Sequence, residues 1–275
     1  MPQASRSGKH GYVRTMSNKL RSVTISALAL AAIVTLAVVQ ASAAPCAFEL
    51  QGEGRVSAVT DARSFRLEDG RDIRLGGIEP AFPSETAAER QRALTTILAG
   101  RDVRLGGEDD TPDRYGRQTA FVWLLPDETL VQRELLARGE AIVSADVSDK
   151  ECAAALLAAE AGAREAKRGS WADASVIKNT ESPGDILAGI GRFALVEGKV
   201  LSVRQAGATT YLNFGRNWTR DFAVTIPRRA LASLAAAGLD PKALEYKRIR
   251  VRGVVEARTG PRIEVVRAGQ IELLK

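Results

Sequence analysis

The sequence predicts a mainly β, α+β protein built of two small barrels in tandem, and three observations predict it. The order strand, strand, strand, helix, strand, strand occurs twice along the chain. A stretch that loses periodicity and contains Pro183-Gly184 separates the two runs. The charge also changes sign between them: residues 45–190 hold 18 basic and 26 acidic side chains, net −8, and residues 191–275 hold 16 and 7, net +9. The formal net charge of +6 hides this asymmetry, which gives the halves different electrostatic roles. The roughly 230 residues after residue 43 are too many for one small barrel and suit two domains.

The N-terminus comes first. Arg6, Lys9, Arg14, Lys19 and Arg21 stand without an acid among them, and Ser22 to Ala44 carries no charge. A basic region, an apolar run and the small-residue end Ala41-Ser42-Ala43 read as a secretory signal cleaved near Ala43, making residues 1–43 a signal peptide. An uncleaved membrane anchor is the alternative, because the uncharged run approaches bilayer length. Met16 is a second candidate start. Pro45 before Cys46 argues against a lipoprotein. The mature chain is therefore expected in the periplasm or outside the cell, without a membrane span. In that oxidising setting the two cysteines, Cys46 and Cys152, are expected to pair, with two free thiols as the alternative. Closing so long a loop is worth about 4–5 kcal/mol in the chain-entropy model. The single histidine, His10, lies in the segment read as removed. Ser-His and Cys-His nucleophiles and His-bearing zinc sites are thereby excluded, leaving carboxylates, Arg, Lys, Tyr or a hard metal ion.

From Gly54, alternation gives three short strands, with Asp69-Gly70 turning between Ser64–Leu67 and Asp72–Leu75. Ser84 is placed to cap a helix over Ala87–Leu98 that ends at Gly100. Arg101–Leu105 and Gln118–Leu125 follow as strands, then helices over Leu130–Arg138 and Glu151–Lys167. This is the order of a five-stranded OB barrel with trailing helices, assigned to residues 44–172. Residues 173–189 read as a linker. Residues 190–275 repeat the order, with a helix over Arg228–Gly238 and the strand KRIRVRGVVEA, as a basic OB-type domain. Alternation puts Lys247, Ile249 and Val251 on one face of that strand and Arg248, Arg250 and Arg252 on the other.

Between the two later strands of the first half lies Asp113-Arg114-Tyr115-Gly116-Arg117. The glycine suits a tight turn. Two arginines around a tyrosine suit a phosphate fork with a ring beside it. Taken with Arg74-Leu75-Gly76-Gly77-Ile78-Glu79 upstream and Lys167-Arg168-Gly169-Ser170-Trp171 closing the last helix, this pattern resembles the staphylococcal nuclease (thermonuclease) family over residues 52–172. The resemblance implies Ca²⁺-assisted hydrolysis of phosphodiesters, with Arg74 and Arg117 on the phosphate, Tyr115 near the nucleotide and carboxylates on the metal. Guanidinium forks and a divalent ion offset the charge that a phosphorane develops.

The sequence also departs from that pattern. The family's Asp-Gly-Asp-Thr turn is Asp61-Ala62-Arg63-Ser64 here, so a ligand Asp is replaced by a cation that repels Ca²⁺. Glu79 stands for the family's Asp after Ile and remains a candidate ligand. The base Glu falls at Phe82; Glu85 reaching back and Asp61 as substitute ligand are the routes to a rebuilt site. Ion pairs of Arg74 and Arg117 with Glu79 and Asp113 are the alternative to phosphate binding in a domain that lacks its metal. Trp171 reads as a hydrophobic plug against the barrel at the end of the last helix.

The second half offers Tyr211, Phe214, Trp218 and Phe222 around Arg216 and Arg220. Arg216, Trp218, Arg248, Arg250 and Arg252 are the candidate nucleic-acid contacts there. Three functions compete. The first is binding of single-stranded nucleic acid or another polyanion, with absent or weak phosphodiesterase activity. The second is a working Ca²⁺-dependent nuclease with a relocated metal site. The third is an envelope interaction module in which the basic domain docks on the acidic one.

Overall fold

The computed structural model describes residues 46–81 and 87–274; the expectations for residues 1–43, Phe82, Ser84 and Glu85 lie outside the described residues. The fold is mixed α and β, mostly sheet with five α-helices among the described residues.

In the first half β1 (Glu49–Asp61) runs into β2 (Ser64–Leu67) and β3 (Asp72–Leu75). Asp69 accepts the Arg71 N–H at 3.0 Å, closing the turn between β2 and β3 at the expected place. After β4 (Ile78–Pro80), helix α1 (Ala87–Leu98) packs Leu94 and Leu98 into the core and leads to β5 (Asp102–Gly107) and β6 (Arg117–Leu124). β1 pairs with β2 and β5, β3 with β2 and β6, and β5 with β6, so five strands form a closed ring of pairings. In β2, β3 and β5 alternate side chains point inward, and Phe65, Leu67, Ile73, Leu75, Val103 and Leu105 are fully buried; β6 is buried on both faces from Ala120 to Leu124. The short β7 (Thr129–Leu130) opens α2 (Val131–Arg138), and β8 (Ala141–Val143) pairs with β4.

Helix α3 (Lys150–Glu165) starts at Asp149, whose side chain accepts the Cys152 N–H at 2.6 Å. Cys46 and Cys152 are disulfide-bonded and buried in the same core, which ties the start of β1 to α3. The turn after α3 explains its glycine. Gly169 has φ +51°, and a Cβ there would meet the Arg138 carbonyl at 2.5 Å, so Gly allows the ends of α2 and α3 to touch.

The segment expected as a linker is built into the second half. β9 (Ile177–Asn179) pairs in parallel with β10 (Phe193–Lys199), and the one-turn α4 (Pro183–Leu187) buries Ile186. Elements of three to five residues are too short to show a period. Then come β11 (Ser202–Ala206), β12 (Thr209–Asn213), β13 (Ala223–Pro227), α5 (Arg228–Ala236), β14 (Arg248–Ala257), β15 (Pro261–Glu264) and β16 (Ile271–Leu273). The sheet order is β11-β12-β13-β15-β14-β10-β9, with β16 beside β14. Among the described residues these pairings form an open path, unlike the ring of the first half.

The two halves share a seam. Trp171 packs with Ile142 and Ala163 of the first half and with Val176 and Leu195 of the second, so it plugs the seam rather than the ring. Arg252 of β14 crosses to Glu160 of α3 through two bonds of 3.0 Å each, and its guanidinium also donates to the Val143 carbonyl at 2.9 Å. Arg250 is held by Glu197 and Glu272, and Arg164 of α3 reaches Glu272 at 3.4 Å. The alternation along β14 is as the sequence predicts, but its arginine face is covered. Arg250 is 7% exposed and Arg252 is 1% exposed, so neither is offered to a polyanion. Arg248 alone of the three stays exposed.

Candidate functional site

The residues singled out in the first half converge where β3 and β6 run parallel. Asp72 stands opposite Arg117, and Arg74 opposite Thr119, so Arg74 and Arg117 leave one face of adjacent strands a step apart. The other face sends Ile73 and Leu75 into the core. Arg63 enters from the turn after β1. Its carbonyl accepts the Leu75 N–H at 2.8 Å, and its guanidinium donates to the Ile78 carbonyl at 3.1 Å. The same guanidinium pairs with Glu79 at 2.5 Å, while Arg74 lies 3.9 Å from that carboxylate.

Arg117 is fixed by its own turn. The Gly116 N–H donates to the Asp113 carbonyl at 2.8 Å, and Gly116 takes φ +77°, the left-handed geometry the turn requires. The Asp113 carboxylate accepts the Tyr115 N–H at 2.8 Å and Nε and Nη2 of Arg117 at 3.1 and 2.8 Å. These bonds, Arg117 first, pull the Asp113 carboxyl down to about 2. Tyr115 is 64% exposed, with the guanidinium groups of Arg114 and Arg117 against its ring at 4.7 and 5.0 Å.

Three guanidinium groups, Arg63, Arg74 and Arg117, thus share two carboxylates, Glu79 and Asp113. Arg74 registers the imbalance. Burial first, and then repulsion from Arg63 and Arg117, lower its pKa from the usual arginine value, against the pull of Glu79 and Asp113. An anion placed between Arg74 and Arg117 would relieve that repulsion.

The Ca²⁺ implied by the resemblance does not fit the residues present. Glu79 faces the Arg63 guanidinium, and an Asp61 oxygen accepts the Arg63 N–H at 2.8 Å. A calcium ion needs six to eight oxygen ligands, typically with several carboxylates among them. Among the described residues no three His, Cys, Asp or Glu side chains are grouped so as to hold a metal ion.

Residues 83–173 match the family model described as staphylococcal nuclease homologue. The chain carries a nuclease-like segment. That segment holds Asp113, Tyr115 and Arg117 of the cluster, whereas Asp61, Arg63, Arg74 and Glu79 precede the matched residues. It also holds α2, α3 and the turn through Gly169 to Trp171. The family is of the nuclease, nucleic-acid-binding type. No curated protein matches the chain.

The second-half candidates stand apart from this cluster. Arg216 and Trp218 are exposed in the connection between β12 and β13. The pairing of Arg117 with Asp113 and of Arg74 with Glu79, legible in the sequence as the alternative to phosphate binding, is present in the structure, the first at 2.8 Å and the second at 3.9 Å. What the sequence did not show is the Arg63 pairing with that same Glu79. Sequence reading also missed Glu160, which stands out in the sequence only as an acid four residues before Arg164.

Proposed function

We propose that the chain is an exported nucleic-acid-binding protein whose nuclease-like OB-type barrel holds phosphodiesters without a divalent ion and hydrolyses them weakly or not at all. The observation that carries this reading is the Arg63–Glu79 ion pair beside Arg74. A fixed guanidinium stands where a cation would otherwise be recruited. Arg74 and Arg117 supply the fork for a phosphodiester, and Tyr115 supplies an exposed ring beside it. Arg63 adds positive charge from behind. What the described residues lack is a free base beside that fork to take a proton from water. Binding energy is then shared equally by the ground and transition states and does not accelerate cleavage.

The closed ring of β1, β2, β3, β6 and β5 supports the OB-type reading, a fold that commonly binds single strands. The Cys46–Cys152 bridge and the signal-like N-terminal pattern support export. No helix among the described residues is long and apolar enough to cross a membrane.

The test is retention of labelled single-stranded DNA by the purified chain over a salt series. The expected affinity falls steeply with salt, and Arg74→Ala/Arg117→Ala lowers both the affinity and the salt slope, the slope by roughly 1.4. Affinity and slope unchanged in that variant would remove the cluster from the binding site.

A further inference from the structure

A second site lies on the outer face of the strands β11, β12, β13 and β15. Tyr211 stands opposite Arg204 on one side and Thr225 on the other. Their neighbours Leu212, Val224 and Ile226 are fully buried in the core, so this trio faces outward. A groove of about 540 Å³ runs over that face, lined among others by Arg204, Tyr211, Arg216, Trp218, Thr225 and Arg258.

Four properties distinguish this groove from an ordinary solvated surface. Trp218 is 70% exposed, whereas Trp123 and Trp171 are each 6% exposed. The turn that carries Trp218 is braced: Asp221 accepts the Asn217 N–H at 2.7 Å, and Asp221 N–H donates to the Asn217 carbonyl at 2.8 Å. The backbone that presents the exposed ring is therefore held by a closed turn. Arg204, Arg216 and Arg258 have no ion pair among the described residues, unlike the arginines of the seam. Finally, Thr225 is only 3% exposed and its hydroxyl, in the groove lining, has no hydrogen-bond partner. A buried hydroxyl left unpaired is costly, and a ligand that reaches it recovers that cost.

We infer that this groove binds single-stranded nucleic acid, with a base stacked on Trp218 and another on Tyr211. Arg204, Arg216 and Arg258 take the phosphates, and the Thr225 hydroxyl bonds to the strand lying over it. Unpaired guanidinium groups interleaved with aromatic rings match the alternation of phosphate and base along a single strand. A polysulfated sugar has charge at similar spacing but no face to stack, so it leaves Trp218 without a role. The inference rests on the nucleic-acid reading above and assigns the second half its own subsite.

The experiment titrates a fluorescein-labelled oligothymidylate of about 12 nucleotides into the full chain. Anisotropy and tryptophan fluorescence are both read, and circular dichroism confirms that each variant is folded. Oligothymidylate is expected to quench the Trp218 emission. Trp218→Ala should weaken binding about 5- to 150-fold, the loss of one base stack, and Arg204→Glu/Arg258→Glu should weaken it further and flatten the salt dependence. Heparin should leave the Trp218 emission unquenched. If the chain binds the oligonucleotide but neither variant changes affinity, while Arg74→Ala/Arg117→Ala abolishes it, the groove assignment is overturned and the general reading stands. No binding by the unaltered chain would overturn both.

Discussion

Arg252 of β14 and Glu160 of α3 form a two-point ion pair at 3.0 Å with both side chains shut away from solvent, joining the two halves of the fold. Glu160 also accepts the Val143 N–H at 2.7 Å and Arg164 at 3.2 Å, so every acceptor of this buried carboxylate is engaged. Removing one member leaves the other buried and unpaired, which costs about 3–5 kcal/mol. Arg252→Ala should show this loss in urea unfolding. Arg252→Met/Glu160→Leu should recover only the part owed to the unpaired charge, because the Val143 N–H and carbonyl then lose their partners.

Arg63 is expected to keep Ca²⁺ out. Millimolar Ca²⁺ should leave the Tm of the unaltered chain unchanged. Arg63→Asp frees Glu79, adds a carboxylate beside it and should make Tm rise with Ca²⁺ concentration, as binding to the folded state alone requires. A Ca²⁺-dependent Tm in the unaltered chain would count against the fixed-cation account.

The Asp113 carboxyl titrates at about 2 in the fold, below the roughly 3.9 of an unfolded aspartate. Its stabilisation is therefore complete above the unfolded value and is lost as pH falls from about 4 through about 2. Asp113→Asn should be less stable than the unaltered chain at neutral pH and should lack this part of the acid-induced loss. Acid unfolding followed by circular dichroism compares the two.

Cys46 and Cys152 close a loop with a sequence separation of 106, and both sit in the core of the first half. Reduction should lower stability by about 2–5 kcal/mol. The check is the urea midpoint with and without reductant, and Cys46→Ser/Cys152→Ser should match the reduced chain.

Local pattern reached far in this sequence. The helix over Ala87–Leu98, the Asp69-Gly70 turn and the inward alternation of β2 and β3 all follow from residue type and spacing, and the structure has them there. Alternation along β14 also separates Ile249 and Val251 from Arg250 and Arg252 correctly. What it does not carry is the partner that covers a face. Glu160 lies in another half of the chain, and only tertiary packing brings it to Arg252. The outer groove is hidden for a related reason. Arg204 and Arg258 are far apart in sequence and meet through a sheet order in which β13 and β15 pair in parallel. At the first cluster the arginines were legible as a phosphate fork. The exchange of a ligand carboxylate for Arg63 was legible too, but its 2.5 Å pairing with Glu79 was not.

The most direct measurement of the central claim is a time course of labelled single-stranded DNA with the purified chain in millimolar Ca²⁺ and in chelator, run beside Arg74→Ala/Arg117→Ala. The account predicts label retained on the unaltered chain and uncleaved in both conditions. Cleavage that requires Ca²⁺ and disappears in the double variant would contradict it, and would mean that Asp61, Glu79 or Glu85 completes a metal site.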